Sequence, residues 1–67
     1  MGEVPMTLLW RARSEYVEMP GLVLTAPQAA RLWGVEHRIS QHVLTELVES
    51  GFLWRTRDGA YIRAAPR

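Results

Sequence analysis

The chain contains no cysteine and no lysine, a single aspartate and a single phenylalanine. It also has no apolar run near the ~20 residues that a membrane span requires. Each absence removes a class of protein. Without thiols there can be no disulfide framework, and two histidines alone make a poor structural zinc site. With a single aspartate, placed in a turn, and with no histidine–carboxylate arrangement set around Ser14, Ser40 or Ser50, there is no constellation for nucleophilic or acid–base catalysis. A Gly-rich phosphate loop is missing as well. A chain of 67 residues has little room for a pocket that would shift pKa values. No enzymatic activity, cofactor or metal is therefore expected. His37 and His42 lie five apart, whereas two ligands on one helical face need three or four.

The start, "MGEVPMTLLWRAR", lacks a charged segment followed by an apolar core and a small-residue cleavage site. Position 6 is methionine, so the acylation pattern that begins with Met-Gly is incomplete. The cytoplasm is the expected compartment, with no membrane partner. A fold of this length buries only about 60% of the surface its unfolded chain exposes. Its stability must come from the 48% hydrophobic content, including three tryptophans, with self-association as a homodimer a second source. Trp10, Trp33 and Trp54 are accordingly expected in the core or at a dimer interface.

What is present is unevenly placed. The formal net charge is only +1. Up to Ser50 the acidic side chains outnumber the basic ones. From Gly51 onward Arg55, Arg57, Arg63 and Arg67 face Asp58 alone. Every cation is an arginine, a planar fork suited to phosphate.

Periodicity orders the chain into one domain spanning 1–67. Leu8, Leu9, Ala12, Tyr16 and Met19 recur at helical spacing, which predicts a helix over about 6–19. Arg11, Ser14, Glu15 and Glu18 fall on its outer face. "MPGL" stops it. Leu22–Thr25 reads as a strand or an extended connector. "TAPQ" fits a capping box, with Pro27 tolerated in the first helical turn, and Gly34 suits a left-handed helix end. The two helices on either side of "WGVE" occupy about 25–50. In the second, Ile39, Val43, Leu44, Leu47 and Val48 form an apolar stripe, and Arg38, Gln41, His42, Thr45 and Glu49 collect opposite it. Ser40 points toward the packed side. Asp58-Gly59 signals a tight hairpin turn over about 52–64. A two-residue loop would pair Arg57 with Ala60, and a three-residue loop would pair Thr56 with Ala60. The second is preferred. It stacks Phe52, Trp54 and Ile62 on one face and puts Leu53, Arg55, Arg57, Tyr61 and Arg63 on the other, which keeps the arginines away from most apolar residues. The fold class read from the residues is mainly α, three helices with a C-terminal β-hairpin.

The pattern "LTxxQAARLxG", followed by "HVLTELVESGFLWR" with Leu44, Leu47, Val48, Gly51, Phe52 and Leu53, resembles the small bacterial winged helix-turn-helix family over about residues 22–64. The resemblance implies a three-helix winged helix-turn-helix and binding of double-stranded DNA in transcription regulation. The second helix of the pair would enter the major groove and the hairpin, or wing, would lie along the backbone. Carried over position by position, Arg38 would meet guanine, Gln41 adenine, and His42 and Thr45 bases or phosphates. Arg55, Arg57 and Arg63 would lie along phosphates, or one would enter a minor groove. Thr25, opening the preceding helix, would offer backbone amides to another. Two features depart from the pattern. Arg38 is the only base on its helix, among Glu36, Glu46 and Glu49, and the low net charge implies few phosphate contacts per copy. The alternative class is a protein-interaction or dimerisation module on the same fold.

Overall fold

The computed structural model describes residues 5–64. Three helices and three short strands follow one another: α1 Met6–Glu18, β1 Leu24–Thr25, α2 Ala26–Trp33, α3 His37–Glu49, β2 Leu53–Arg55 and β3 Ala60–Arg63. The layout is mainly helical and winged helix-like. No helix among the described residues is long and apolar enough to cross a membrane.

Thr25 does two jobs. It is the last residue of β1, and its side chain caps α2. Its hydroxyl accepts from the Gln28 amide at 3.3 Å, while the Gln28 side-chain oxygen accepts from the Thr25 amide at 2.9 Å. Both donors would otherwise be orphaned at the helix start. The amides of Thr25 and Gln28 are thus spent within the chain and Pro27 has none. Fewer amides at this helix start are therefore open to a phosphate than the resemblance implies. α2 ends at Gly34, whose φ of 68° is the left-handed conformation that a side chain would strain.

α3 begins three residues after Gly34 and is fixed to α2 by Ser40. The fully buried Ser40 hydroxyl donates to the Ala26 carbonyl at 2.8 Å and also lies 2.9 Å from the His37 carbonyl. This bond joins the first turns of the two helices and so sets their crossing. Ser40→Ala should cost about 1 kcal/mol in urea unfolding, because a buried hydrogen bond between the two helices is lost.

The core is a single cluster. Leu8, Ala12 and Tyr16 of α1 meet Ala26, Ala29 and Trp33 of α2, Val43, Leu44 and Leu47 of α3, and Leu24, Leu53 and Tyr61 of the sheet. The Tyr16 hydroxyl, fully buried, donates to the Tyr61 carbonyl at 2.8 Å and so ties α1 to β3. Glu15, expected on the outer face of α1, is half-buried. Its carboxylate accepts from the Trp33 indole N–H at 3.0 Å and from Arg11 Nε at 3.3 Å. Of the three tryptophans only Trp33 is in the core; Trp10 and Trp54 are exposed.

The strands form one antiparallel sheet in the order β1-β3-β2. Trp54 pairs with Ile62 and Arg55 with Tyr61. The loop is the three-residue form: Thr56 donates its amide to Ala60 at 2.7 Å, and Gly59, at φ 89°, donates to Thr56 at 3.1 Å. The expected face assignment is reversed, however. Leu53 and Tyr61 face the core, and Trp54 lies in solvent. β1 explains the reversal. Leu24 pairs with Tyr61, so the packed face of the sheet is the Leu24–Tyr61–Leu53 side. Arg55 and Arg63 lie on that same side of the hairpin, Arg55 exposed on the edge strand and Arg63 half-buried.

Candidate nucleic-acid interface

The face of α3 opposite its apolar stripe is open. Arg38, Gln41, His42, Thr45 and Glu49 are all exposed, while Val43, Leu44 and Leu47 are buried. Arg38 lies 3.6 Å from Glu36 in a solvent-exposed ion pair, a contact of little stabilising value that leaves the guanidinium free to exchange partners.

Gln41 and Thr45 line a shallow groove together with Val48 of the same helix, Arg55 of β2 and Tyr61 of β3. The polar side of α3 and the first strand of the hairpin therefore share one concave surface. It carries an amide that can both donate and accept, a hydroxyl, a guanidinium and a phenol edge. Val48 and Tyr61 were not anticipated as groove residues. Val48 falls at the margin of the α3 stripe, and the place of Tyr61 follows only once the hairpin register is known.

The remaining candidates divide. Arg57 is exposed at the tip of the hairpin beside Asp58. The Thr56 hydroxyl bonds the Asp58 carboxylate, and this bond, with backbone amides, holds that carboxyl below the usual range. The tip thus keeps one negative charge next to its one positive charge. His42 is exposed on α3 but does not line the groove. Arg63 is placed elsewhere. It is half-buried at the base of the hairpin, its guanidinium 4.6 Å from the centre of the Phe52 ring. Arg13 of α1 lies at the same distance from that ring, and Tyr16 meets its edge. Arg63 thus belongs to a cation–π cluster that joins α1 to the sheet.

The charge over this surface is mixed. Glu46 and Glu49 occupy the last turns of α3, and the arginines lie at its start and on the hairpin. Among the described residues no group of three or more histidines and carboxylates is placed to hold a metal. No family model, no curated protein and no solved structure matches the chain.

Proposed function

We propose that the chain is a small bacterial DNA-binding protein of the winged helix-turn-helix type, acting in transcription regulation in the cytoplasm. The observation that carries this reading is the groove in which Gln41 and Thr45 of α3 stand beside Arg55 of the hairpin. An α-helix fits the major groove of B-DNA, and a Gln side chain can bond adenine through two contacts there. A strand arginine alongside would reach the flanking phosphate, with Arg57 beyond it and Arg38 at the helix entry. The reading assigns no reaction and no cofactor.

Titration of a random duplex of about 20–30 base pairs, followed by fluorescence anisotropy at two salt concentrations, tests it. On a random duplex, where Arg38 has no chosen guanine to meet and rests on a phosphate with Arg55 and Arg57, log K should fall with log salt at a slope of about −3. Absence of binding even at low salt would sink the proposal.

Asp58 offers a second check. Asp58→Asn keeps an oxygen for the Thr56 hydroxyl and removes the negative charge from the tip. A unit charge ~10 Å from a phosphate is worth about 0.4 kcal/mol in water. The variant should therefore bind the same duplex about twofold more tightly, with the gain fading as salt is added.

A second reading, a protein-interaction module, draws on the outer face of the sheet. Trp54 is 63% exposed and pairs across the strands with the half-buried Ile62, and Val23, just before β1, is also exposed. Indifference to the duplex at low salt would favour it.

A further inference from the structure

Tyr61 is a core residue whose polar end the core does not use. The residue is only 5% exposed, and its backbone carbonyl accepts from the Tyr16 hydroxyl, so β3 is held in place at this point. Its own hydroxyl bonds none of the described residues. No unpartnered side-chain oxygen or nitrogen among them is sealed from solvent, so this hydroxyl reaches the surface. The surface that Tyr61 lines is the groove shared with Gln41, Thr45, Val48 and Arg55. Arg55 stands directly across the strands from Tyr61, on the same face of the sheet, where paired side chains lie within reach of one another. Its side chain is exposed. Among the described residues it takes no part in the ion pairs Arg11–Glu15 and Arg38–Glu36, and it rests on no aromatic ring. Thr45 brings a second hydroxyl from α3, and none of the groove's lining residues is acidic.

We infer that Tyr61, Arg55 and Thr45 together seat one phosphodiester group of a DNA strand, which rests on the winged helix-turn-helix reading above. The occupant follows from the chemistry of the groove. Its one charge is positive and its two hydroxyls can donate, which suits an oxyanion of a single negative charge. A phosphodiester has that charge and two oxygens rich in lone pairs. The guanidinium fork can span them, and the hydroxyls take the lone pairs that remain. Val48 adds an apolar wall on which the carbon skeleton of a deoxyribose can rest, something a bare anion or a side-chain carboxylate does not require. The position agrees as well. A helix in the major groove is bordered by the sugar–phosphate ridges, and a strand beside that helix meets the ridge. Gln41, one turn nearer the start of α3, stays with the base edge. Burial holds the Tyr61 ring in one place before any ligand arrives, so little side-chain freedom is lost on contact. The contact fixes the register of the protein on the duplex and reads no sequence.

Tyr61→Phe tests it, because the variant keeps the ring and removes only the hydroxyl. That hydroxyl has no partner among the described residues, so the urea midpoint should be unchanged. Affinity for a random duplex, measured by fluorescence anisotropy, should fall about tenfold. The loss should be the same on duplexes of unrelated sequence. It should also be the same at low and moderate salt, since an uncharged donor displaces no counterion. Arg55→Gln should weaken binding by a similar factor and in addition flatten the salt slope by about 0.9. The two changes together should cost well under the product of their separate losses, because both contacts hold one phosphate. Equal binding by Tyr61→Phe and the unmodified chain would overturn the inference and leave the DNA-binding proposal standing. A loss confined to particular sequences, a lowered urea midpoint or a full product in the double variant would do the same. An unmodified chain that ignores the duplex even at low salt would remove both.

Discussion

Tyr16→Ala should leave the chain largely unfolded at 25 °C. Tyr16 is the largest fully buried side chain, at the meeting point of α1, β3 and Phe52. Truncating an aromatic at such a site costs about 3–5 kcal/mol, and the Tyr61 carbonyl loses its donor as well. A domain of this length has only about 3–10 kcal/mol in total. Circular dichroism should show most of the helical signal lost or a thermal transition lowered by tens of degrees, and a native-like transition would refute the account of the core. Tyr16→Phe separates the ring from its hydroxyl and should cost about 1 kcal/mol. Burial, then the neighbouring Glu15 and Tyr61, pushes the Tyr16 phenol above its ordinary value, which is near 10. As pH climbs, the unfolded chain releases that proton first. The stability tied to Tyr16 is therefore complete below about pH 10 and drains away above it. Unfolding midpoints measured across that range should fall less steeply in Tyr16→Phe than in the unaltered chain.

The second large effect concerns the proposed interface. Replacing Arg38, Arg55 and Arg57 together by glutamine should weaken binding of a random duplex about 100-fold at ~0.1 M salt, and should reduce the salt slope by about 2–3. All three side chains are exposed, so the fold should be unaffected and the loss can be assigned to the surface. Arg63→Gln provides the contrast. Its guanidinium rests on Phe52, so it should lower stability by about 0.5–1 kcal/mol and change DNA affinity far less. Equal affinities for the triple variant and the unaltered chain would remove these arginines from the interface.

Local signals carried much of this architecture into the amino-acid sequence. The capping box at Thr25, the left-handed Gly34, the inward Ser40 and the apolar stripe of α3 each rest on residues within one or two helical turns of one another. Such spacing is readable without knowing what lies across the core. The hairpin register was readable too, because Gly59 and the need to pair Thr56 with Ala60 are local. Which face of the hairpin turns inward was not. That choice depends on β1, a strand of two residues whose Leu24 has its partner, Tyr61, 37 positions further on, and sorting side chains by polarity gave Trp54 a burial that Leu53 and Tyr61 actually take. Glu15 escaped notice for a similar reason. Its indole partner is in another helix, and only the folded chain brings them together. Of the candidate contacts, Gln41, Thr45 and Arg55 converge on one groove, whereas Arg63 is drawn off to the ring of Phe52, where Arg13 of α1 also lies.

Thr25 ends a strand and starts a helix without any intervening linker, and that strand is clamped to the hairpin at Ala60 and Tyr61. The ribbon and α2 are therefore joined through a single rigid joint, with α3 bolted to the same joint by Ser40. A partner that pushes on the tip at Arg57 meets the whole body of the protein in place of a loose flap, so little freedom remains to be frozen when the surface is covered.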